Sequence, residues 1–158
     1  MFREMRRSKQ AMTEEECIAL LTSAKRGVLS VTGDDGYPYG TFLNHYYDPE
    51  SGKLYFHSGK VGHRVDAFRR DAKASFTCID DGRQEPGEWF LRFRSVVVFG
   101  HVEEVTDREE VYRLARLLSY KFIQDDAHID EEIRKSGPAT LMFALVPEYM
   151  TGKHIKEE

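Results

Sequence analysis

The stretch from Lys53 to Asp71 constrains the fold of this chain more than any other. Residues 54–56 form a short aromatic and aliphatic run, which is typical of a strand buried on both faces. Residues 57–60 form a polar step that contains a glycine, and the apolar residues that follow recur at helical spacing through residue 68. The pattern therefore predicts a buried strand, a turn and a short helix.

Cationic side chains gather where this helix is expected to begin. Ser58, Lys60, His63 and Arg64 surround its first turn. The start of a helix carries partial positive charge and normally favours acidic residues, so cations there are locally unfavourable. They are explained if an anion lies between them and the free backbone N–H groups. This predicts a phosphate site, with a solvated basic helix as the alternative. Neither a Walker loop nor a dinucleotide-binding glycine motif is present.

Length and composition indicate one domain and exclude several classes of function. A chain of 158 residues with 41% hydrophobic content suits a single domain, residues 1–158, with an N-terminal arm at 1–12 and a C-terminal tail at 150–158. A net charge of −4 argues against a general nucleic-acid binder. No apolar run has the length of a membrane span and no signal sequence is evident, so we expect a cytoplasmic protein without a membrane segment. The six histidines form no metal-binding motif, and no metal is predicted.

The order of the expected elements indicates a mostly β protein with added helices. Thr13 and Glu16 form a capping box before one helix, and Asp107 precedes another. Residues 125–135 are highly charged and are expected to form a loop with a short helix. About six strands are separated by short glycine turns, which predicts a six-stranded antiparallel barrel rather than a parallel sheet.

Several motifs, taken in order, resemble those of the flavin-binding split-barrel proteins. The matching segments are residues 5–7, 36–40, 42–47, 54–58, 62–64, 94–100 and 151–153. That family includes pyridoxamine 5′-phosphate oxidase and the 5-nitroimidazole-resistance (Nim) proteins, and the chain resembles the Nim-like branch more. The resemblance implies flavin mononucleotide (FMN) as cofactor, a six-stranded split β-barrel, and a homodimer with flavin sites at its interface.

The resemblance also implies roles for individual residues. A strand would lie along the flavin ring, a turn and helix start would hold the ribityl phosphate, and a second strand would reach the flavin. The residues along the flavin ring are Thr41, Leu43 and Asn44. The residues that hold the phosphate are His57, Ser58, Lys60, His63 and Arg64, and the residue of the second strand is Ser95. Trp89, which follows a polar loop, is expected to line the pocket. Either His57 or His63 would be the functional histidine.

The expected function is that of an FMN-dependent oxidoreductase acting on an unknown small molecule, with NADH or NADPH as candidate electron donors. Where the oxidase carries an adjacent Arg-Lys pair, this chain has His63-Arg64, and it lacks the oxidase's C-terminal substrate-binding residues. Both departures argue against vitamin B6 oxidation. The alternatives are a flavin carrier or sensor without turnover, and a haem-binding barrel. The sequence assigns no catalytic residue, because no nucleophile–base pair or paired carboxylates are evident.

Overall fold

The computed structural model describes residues 1–157 as one antiparallel sheet with four α-helices. The strands are β1 (Arg26–Thr32), β2 (Pro38–Asn44), β3 (Tyr46–Tyr47), β4 (Leu54–Gly59), β5 (Lys73–Ile79), β6 (Arg92–Val105) and β7 (Thr140–Lys156). The helices are α1 (Glu14–Ser23), α2 (His63–Arg70), α3 (Arg108–Tyr120) and α4 (Asp126–Ser136).

The strand order shows that the sheet curls back on itself. The order is β2-β1-β5-β6-β7-β4-β3, so β2 and β3 are the two edge strands. Only His45 separates these two strands in the chain, and its side chain is fully buried. The two edges must therefore meet, and the sheet forms a split barrel, as predicted. It has seven strands rather than six, since His45 separates β2 from β3.

The barrel interior is filled by aromatic and aliphatic side chains. Phe56 packs against Phe76 and Phe143, with ring centroids 5.3 Å and 5.4 Å apart. On the other side of β4, Tyr55 packs with Leu114 of α3 in a second, smaller cluster. The central strand is thus buried on both faces, as its composition predicted.

Two segments differ from the sequence-based expectation. Residues 126–136 form an eleven-residue helix, α4, rather than a loop with a short helix. The expected C-terminal tail is paired with β6 as far as Lys156, so it forms the second half of β7. Residue 158 lies outside the described part of the chain. No helix within residues 1–157 is long and apolar enough to cross a membrane.

Candidate functional site

The start of α2 lacks any side-chain cap. Gly62 precedes the helix with φ of 137°, a conformation that residues with a Cβ rarely adopt. Its carbonyl oxygen accepts the helical bond from the Asp66 N–H. A Cβ placed on Gly62 would meet no atom within 4 Å, so the space beside the first turn is open. The first-turn N–H groups therefore face an accessible space, which is the arrangement that an anion requires.

Arg64 connects this helix start to β2. Its Nε and Nη2 atoms donate to Thr41 Oγ1 at 3.0 Å and 2.7 Å. The guanidinium is half-buried, and this burial lowers its pKa from the ordinary arginine value. The Nη1 donors are not used in these two bonds, and they remain available to a ligand. Thr41 and Arg64, both predicted to belong to the site, are thus in direct contact.

His63 is turned away from the helix start. Its Nε2 accepts the Asp34 N–H at 3.2 Å, and its ring stacks on Tyr39 with centroids 4.0 Å apart. Because Nε2 is the acceptor, the neutral ring carries its proton on Nδ1 in this arrangement. His63 therefore fixes α2 against the β1–β2 turn. Tyr39 therefore covers one face of the imidazole, and the Asp34 N–H occupies its Nε2 atom.

Ser58 and Lys60 lie in the turn between β4 and α2. Ser58 Oγ donates to the carbonyl oxygen of Gly59 at 2.8 Å. The ammonium of Lys60 is exposed and makes no ion pair or hydrogen bond within residues 1–157. Lys60 is therefore the mobile cation of this turn, whereas Arg64 is the fixed one.

Asn44 and His57 line two cavities at the end of β2. The first has a volume of about 300 Å³ and is also lined by Arg26, Phe42 and Leu43. The second, of about 170 Å³, lies between β4 and the helices α3 and α4. His57 keeps more than a third of its surface exposed, yet the surrounding protein lowers its pKa below the ordinary value. Its ring is therefore neutral at pH 7 and can both accept and donate a hydrogen bond.

The helical wall of the second cavity was not identified from the sequence. Its residues are Leu118, Ser119, Phe122, Ile123, His128, Ile129 and Glu132. They come from the end of α3, from α4, and from the segment between them. The charged stretch 125–135 predicts a loop with only a short helix, and this wall depends on the full eleven-residue helix α4. The signal was the apolar Ile129, which is 2% exposed and follows the Asp125 cap at helical spacing.

Ser95 and Trp89 lie apart from this cluster. Ser95 is on the same face of the sheet as Phe42, because Val97 pairs with Thr77, Thr77 with Val28, and Val28 with Phe42. Trp89 is 77% exposed and contacts Phe90 edge-on, with centroids 5.8 Å apart. Its ring is outside the core and outside the two cavities at Asn44.

Two polar side chains, the half-buried Lys121 and the fully buried His45, support the end of β2. Lys121 Nζ donates to the carbonyl oxygens of Ala24 and His45, each at 2.6 Å. Burial lowers the Lys121 pKa to about 8 and the His45 pKa to about 4. The His45 Nε2–H donates to the Leu21 carbonyl oxygen at 2.7 Å. These bonds fix the strand end that carries Asn44.

The chain has clear relatives at the level of family and fold. A family model described as pyridoxamine 5′-phosphate oxidase matches residues 13–154. A protein described as a candidate 5-nitroimidazole antibiotic resistance protein, from Bacteroides thetaiotaomicron, superposes with a TM-score of 0.75 at 19% identity, covering 94% of this chain and 90% of that one. Among proteins with curated descriptions, none matches.

Two further solved structures share the architecture. A conserved hypothetical protein from Mycobacterium tuberculosis has a TM-score of 0.81 at 18% identity, covering 96% of this chain and 90% of that one. A FAD-binding protein from Mesorhizobium loti has a TM-score of 0.68 at 20% identity, covering 92% and 97%. At these identities the likeness concerns the fold.

Proposed function

Because this chain belongs to the pyridoxamine 5′-phosphate oxidase family, we propose that it binds FMN and acts as a flavin-dependent oxidoreductase on a small molecule. The observation that carries the proposal is the uncapped start of α2 beside the Arg64–Thr41 contact. An uncapped helix start, a fixed guanidinium and the mobile Lys60 together fit a phosphate monoester. The FAD-binding relative supports a flavin in general, and the single phosphate site favours FMN in particular.

In this proposal the protein binds and orients the flavin, and the flavin supplies the redox chemistry when bound. The first-turn N–H groups of α2, Lys60 and the Nη1 donors of Arg64 hold the phosphate. The backbone of Leu43 and Asn44 lies along the ring, and Ser95 is on the same outer face of the sheet as Phe42, three strands away from β2. Phe42, which is 76% exposed, supplies an apolar contact for the ring.

The second cavity at Asn44 is the proposed place for the substrate. It adjoins the first cavity through Asn44 and His57, which line both. Leu118 and Phe122 give it apolar walls, while His128 and Glu132 stand at one side. His57 lies between the two compartments, and its neutral ring can hold or deliver a proton there. We therefore assign the role of functional histidine to His57 rather than to His63.

A second copy of the chain is proposed to complete the site. The outer sheet face presents Phe42, Ile79 and Phe99, which are 76%, 57% and 39% exposed. An exposed patch of aromatic and aliphatic side chains on one sheet face is typical of a protein interface. A homodimer through this face would cover Phe42 and enclose the flavin ring. Such an obligate interface should bury more than about 2,000 Å² in total.

The absorption spectrum of the purified protein is the first test. Flavin bands support the proposal, a Soret band would replace it with a haem-binding barrel, and a spectrum with neither would contradict both. If flavin is present, anaerobic addition of NADH or NADPH separates an oxidoreductase from a carrier. Bleaching of the flavin bands identifies an enzyme that accepts electrons from a nicotinamide donor. An unchanged spectrum with either donor favours the carrier or sensor.

The phosphate assignment is tested by Arg64→Ala. Losing one charge-assisted contact of about 1.5–3 kcal/mol should raise the FMN dissociation constant roughly ten- to more than hundredfold. Riboflavin has no phosphate, so its affinity should change far less. Fluorescence titration of flavin-free protein with each flavin measures both. An equal loss of FMN and riboflavin affinity would show that Arg64 supports the fold or the ring, and the assignment would fail.

Two variants control for the contact between Arg64 and Thr41. Thr41→Val removes the hydroxyl acceptor but keeps the guanidinium, so it should weaken FMN binding less than Arg64→Ala does. Arg69→Ala removes an arginine of the same helix whose partner is Glu104, at 2.6 Å, on β6. Arg69→Ala should leave FMN affinity at the wild-type value.

A further inference from the structure

A third cavity lies between the N-terminal arm, the start of α1 and the second half of β7. Its volume is about 520 Å³, and it shares no lining residue with the two cavities at Asn44. Three of the five methionines of the chain and one of its two cysteines border this cavity. These residues are Met5, Met12, Cys17 and Met150. Most of the sulfur-bearing side chains of the protein are thus gathered at one place.

Two of the sulfur atoms lie close together beside Gly152. A Cβ placed on Gly152 would lie 2.3 Å from Cys17 Sγ and 2.9 Å from Met12 Sδ, so the two sulfur atoms are at most about 5 Å apart. Metal–sulfur bonds of about 2.3 Å place two sulfur ligands of one ion roughly 4 Å apart. A small rotation of either side chain would therefore allow one ion to bind both sulfurs.

The other two thioethers can reach the same ion. Met150 is on the same face of β7 as Gly152, because residues two apart share a face, and their partners Val98 and Val96 are both fully buried. Met5 approaches from the N-terminal arm. A methionine side chain is unbranched and has three rotatable bonds, so it adapts to irregular sites. Three thioethers and one thiol can thus surround a single ion.

The N-terminal arm, which forms one wall of the cavity, is attached to β7. The Met12 N–H donates to the Gly152 carbonyl oxygen at 2.9 Å. Nearer the start of the chain, Phe2 stacks on Tyr149 with ring centroids 5.0 Å apart. Because the arm is held at both of these points, the cavity is a feature of the fold.

The charged side chains of the lining are all carboxylates. They are Glu4, Glu14 and Glu148, which are exposed, whereas Met12 and Cys17 are buried. One of the three, Glu148, pairs with a histidine at 3.4 Å, and the other two make no ion pair within residues 1–157. The basic residues of the arm, at positions 6, 7 and 9, line a different cavity. A cation that enters this cavity therefore passes carboxylates before it reaches the sulfurs.

The donor set favours a soft metal ion. Within residues 1–157, no group of three histidine, cysteine, aspartate or glutamate side chains could hold a metal ion, so a site here depends on methionine sulfur. Thiol and thioether ligands suit Cu(I), whereas zinc in proteins takes thiolate, imidazole and carboxylate ligands. The four residues come from the arm, α1 and β7 and form no sequence motif, which is why the sequence predicts no metal.

We propose that Met5, Met12, Cys17 and Met150 form a Cu(I) site. The Cys17 thiol releases its proton to water when it binds the ion, and the copper keeps its oxidation state. The site does not rest on the proposed flavin function, because none of its residues lines the cavities at Asn44.

Anaerobic titration of the purified protein with Cu(I), in competition with a chromogenic Cu(I) chelator, tests the proposal. The protein should retain one Cu(I) ion per chain, with equal affinity in the flavin-free and FMN-loaded forms. Zn²⁺, titrated separately, should bind much more weakly, because thioethers are not among its usual ligands. Complete transfer of Cu(I) to the chelator would overturn the proposal. Zn²⁺ binding as tightly as Cu(I) would also overturn it and assign the ion to the carboxylates and the thiol.

Methionine-to-leucine variants locate the ion, since they keep the size of an apolar side chain and remove only its sulfur. Met12→Leu and Met150→Leu should each lower Cu(I) affinity at least about tenfold, because losing even a group that orients a metal ligand costs that much. Met142→Leu makes the same change in β7 away from the cavity, where Met142 packs with Tyr55, and should have no effect. Wild-type Cu(I) affinity in the Met12→Leu, Met150→Leu double variant would overturn the site.

The two cysteines give a matched comparison, because both are free and buried. Cys17→Ala should lower Cu(I) affinity at least as much as either methionine variant does. Cys78→Ala removes the thiol that does not line the cavity and should leave the affinity at the wild-type value. Wild-type binding in Cys17→Ala together with lost binding in Cys78→Ala would place the ion inside the barrel and overturn the assignment.

Discussion

At the scale of single residues, His45 occupies the one position that joins the two edges of the sheet. Its ring is fully buried, its Nε2 donates to the Leu21 carbonyl oxygen, and its Nδ1 has no hydrogen-bond partner within residues 1–157. Lys121, which binds the backbone oxygen of the same residue, adds a nearby positive charge. Protonating His45 would bury a charge away from water and near Lys121, so burial first and the charge of Lys121 second lower its pKa to about 4.

This histidine should make the fold sensitive to mild acid. The folded pKa of about 4 is below the unfolded value of 6.5, so the unfolded chain binds the extra proton first as pH falls. The contribution is complete above pH 6.5 and declines towards pH 4, by up to about 3 kcal/mol. Urea unfolding at several pH values measures it.

The matched variant is His45→Gln, which keeps a donor for Leu21 but cannot titrate. Its free energy of unfolding should change less than that of the wild type between pH 6.5 and pH 4. Carboxylates with lowered pKa, such as Asp48 and Asp80, remain in both proteins and cancel in the comparison. Parallel pH profiles for the two proteins would assign the acid sensitivity to those carboxylates instead.

Sequence reasoning predicted Arg64 and Thr41 as site residues but could not predict their contact. The two are 23 positions apart, on a helix and a strand that meet only because the sheet curls. The orientation of His63 was hidden for the same reason, since Tyr39 and Asp34 reach it from the β1–β2 hairpin. Residue type and spacing indicate which groups can bind phosphate, whereas the curvature of the sheet decides which of these groups face the proposed phosphate site at the start of α2.

At the scale of elements, local signals predicted α1 well. The Thr13 hydroxyl accepts the Glu16 N–H and the Glu16 carboxylate accepts the Thr13 N–H, so the expected capping box is formed. β7 was harder to predict because Pro147 interrupts its pattern. A register shift between Phe99 and Gly100 accommodates the proline, and the strand continues to Lys156. A bulge of this kind depends on the partner strand, which the sequence of β7 alone does not specify.

The capping box gives a direct test at this scale. Thr13→Ala removes the hydroxyl acceptor at the start of α1 and should lower the free energy of unfolding by about 1 kcal/mol. Thr22→Ala, later in the same helix, removes a hydroxyl that bonds only to the Ile18 carbonyl oxygen and should have little effect. Thermal or urea unfolding compares the two variants. An equal effect of both would mean that the cap contributes nothing beyond the general loss of a threonine.

At the scale of the whole molecule, the proposed flavin site and the proposed dimer depend on the same outer face. Phe42→Asp places a charge on that face, beside the proposed flavin ring, and should produce a monomer with weaker FMN binding. Light scattering gives the oligomeric state, and fluorescence titration gives the affinity. Tyr37→Asp changes an equally exposed aromatic residue, 75% exposed, in the turn before β2 and should leave the dimer intact.

The oligomeric state decides whether the flavin site is complete within one chain or is shared between two chains. A wild-type protein that is monomeric at micromolar concentration and still binds FMN would have a site complete within one chain. The exposed Trp89 would then remain in solvent. A dimer would permit contact between Trp89 of one protomer and the flavin of the other, and flavin binding would quench the only tryptophan fluorescence of the chain.

The joining of the two sheet edges also sets the order in which the chain can fold during synthesis. β1 and β2 are adjacent and can pair as soon as both have emerged, but β4 pairs with β7, from Leu54 opposite Leu145 to Gly59 opposite Thr140. That partner emerges about 90 residues later, which at about 5–20 residues per second takes roughly 5–20 s. Throughout this interval Leu54, Tyr55 and Phe56, all buried in the finished barrel, have an unpaired edge. The nascent chain therefore exposes an apolar strand to chaperones and to other chains until β7 has emerged from the ribosome.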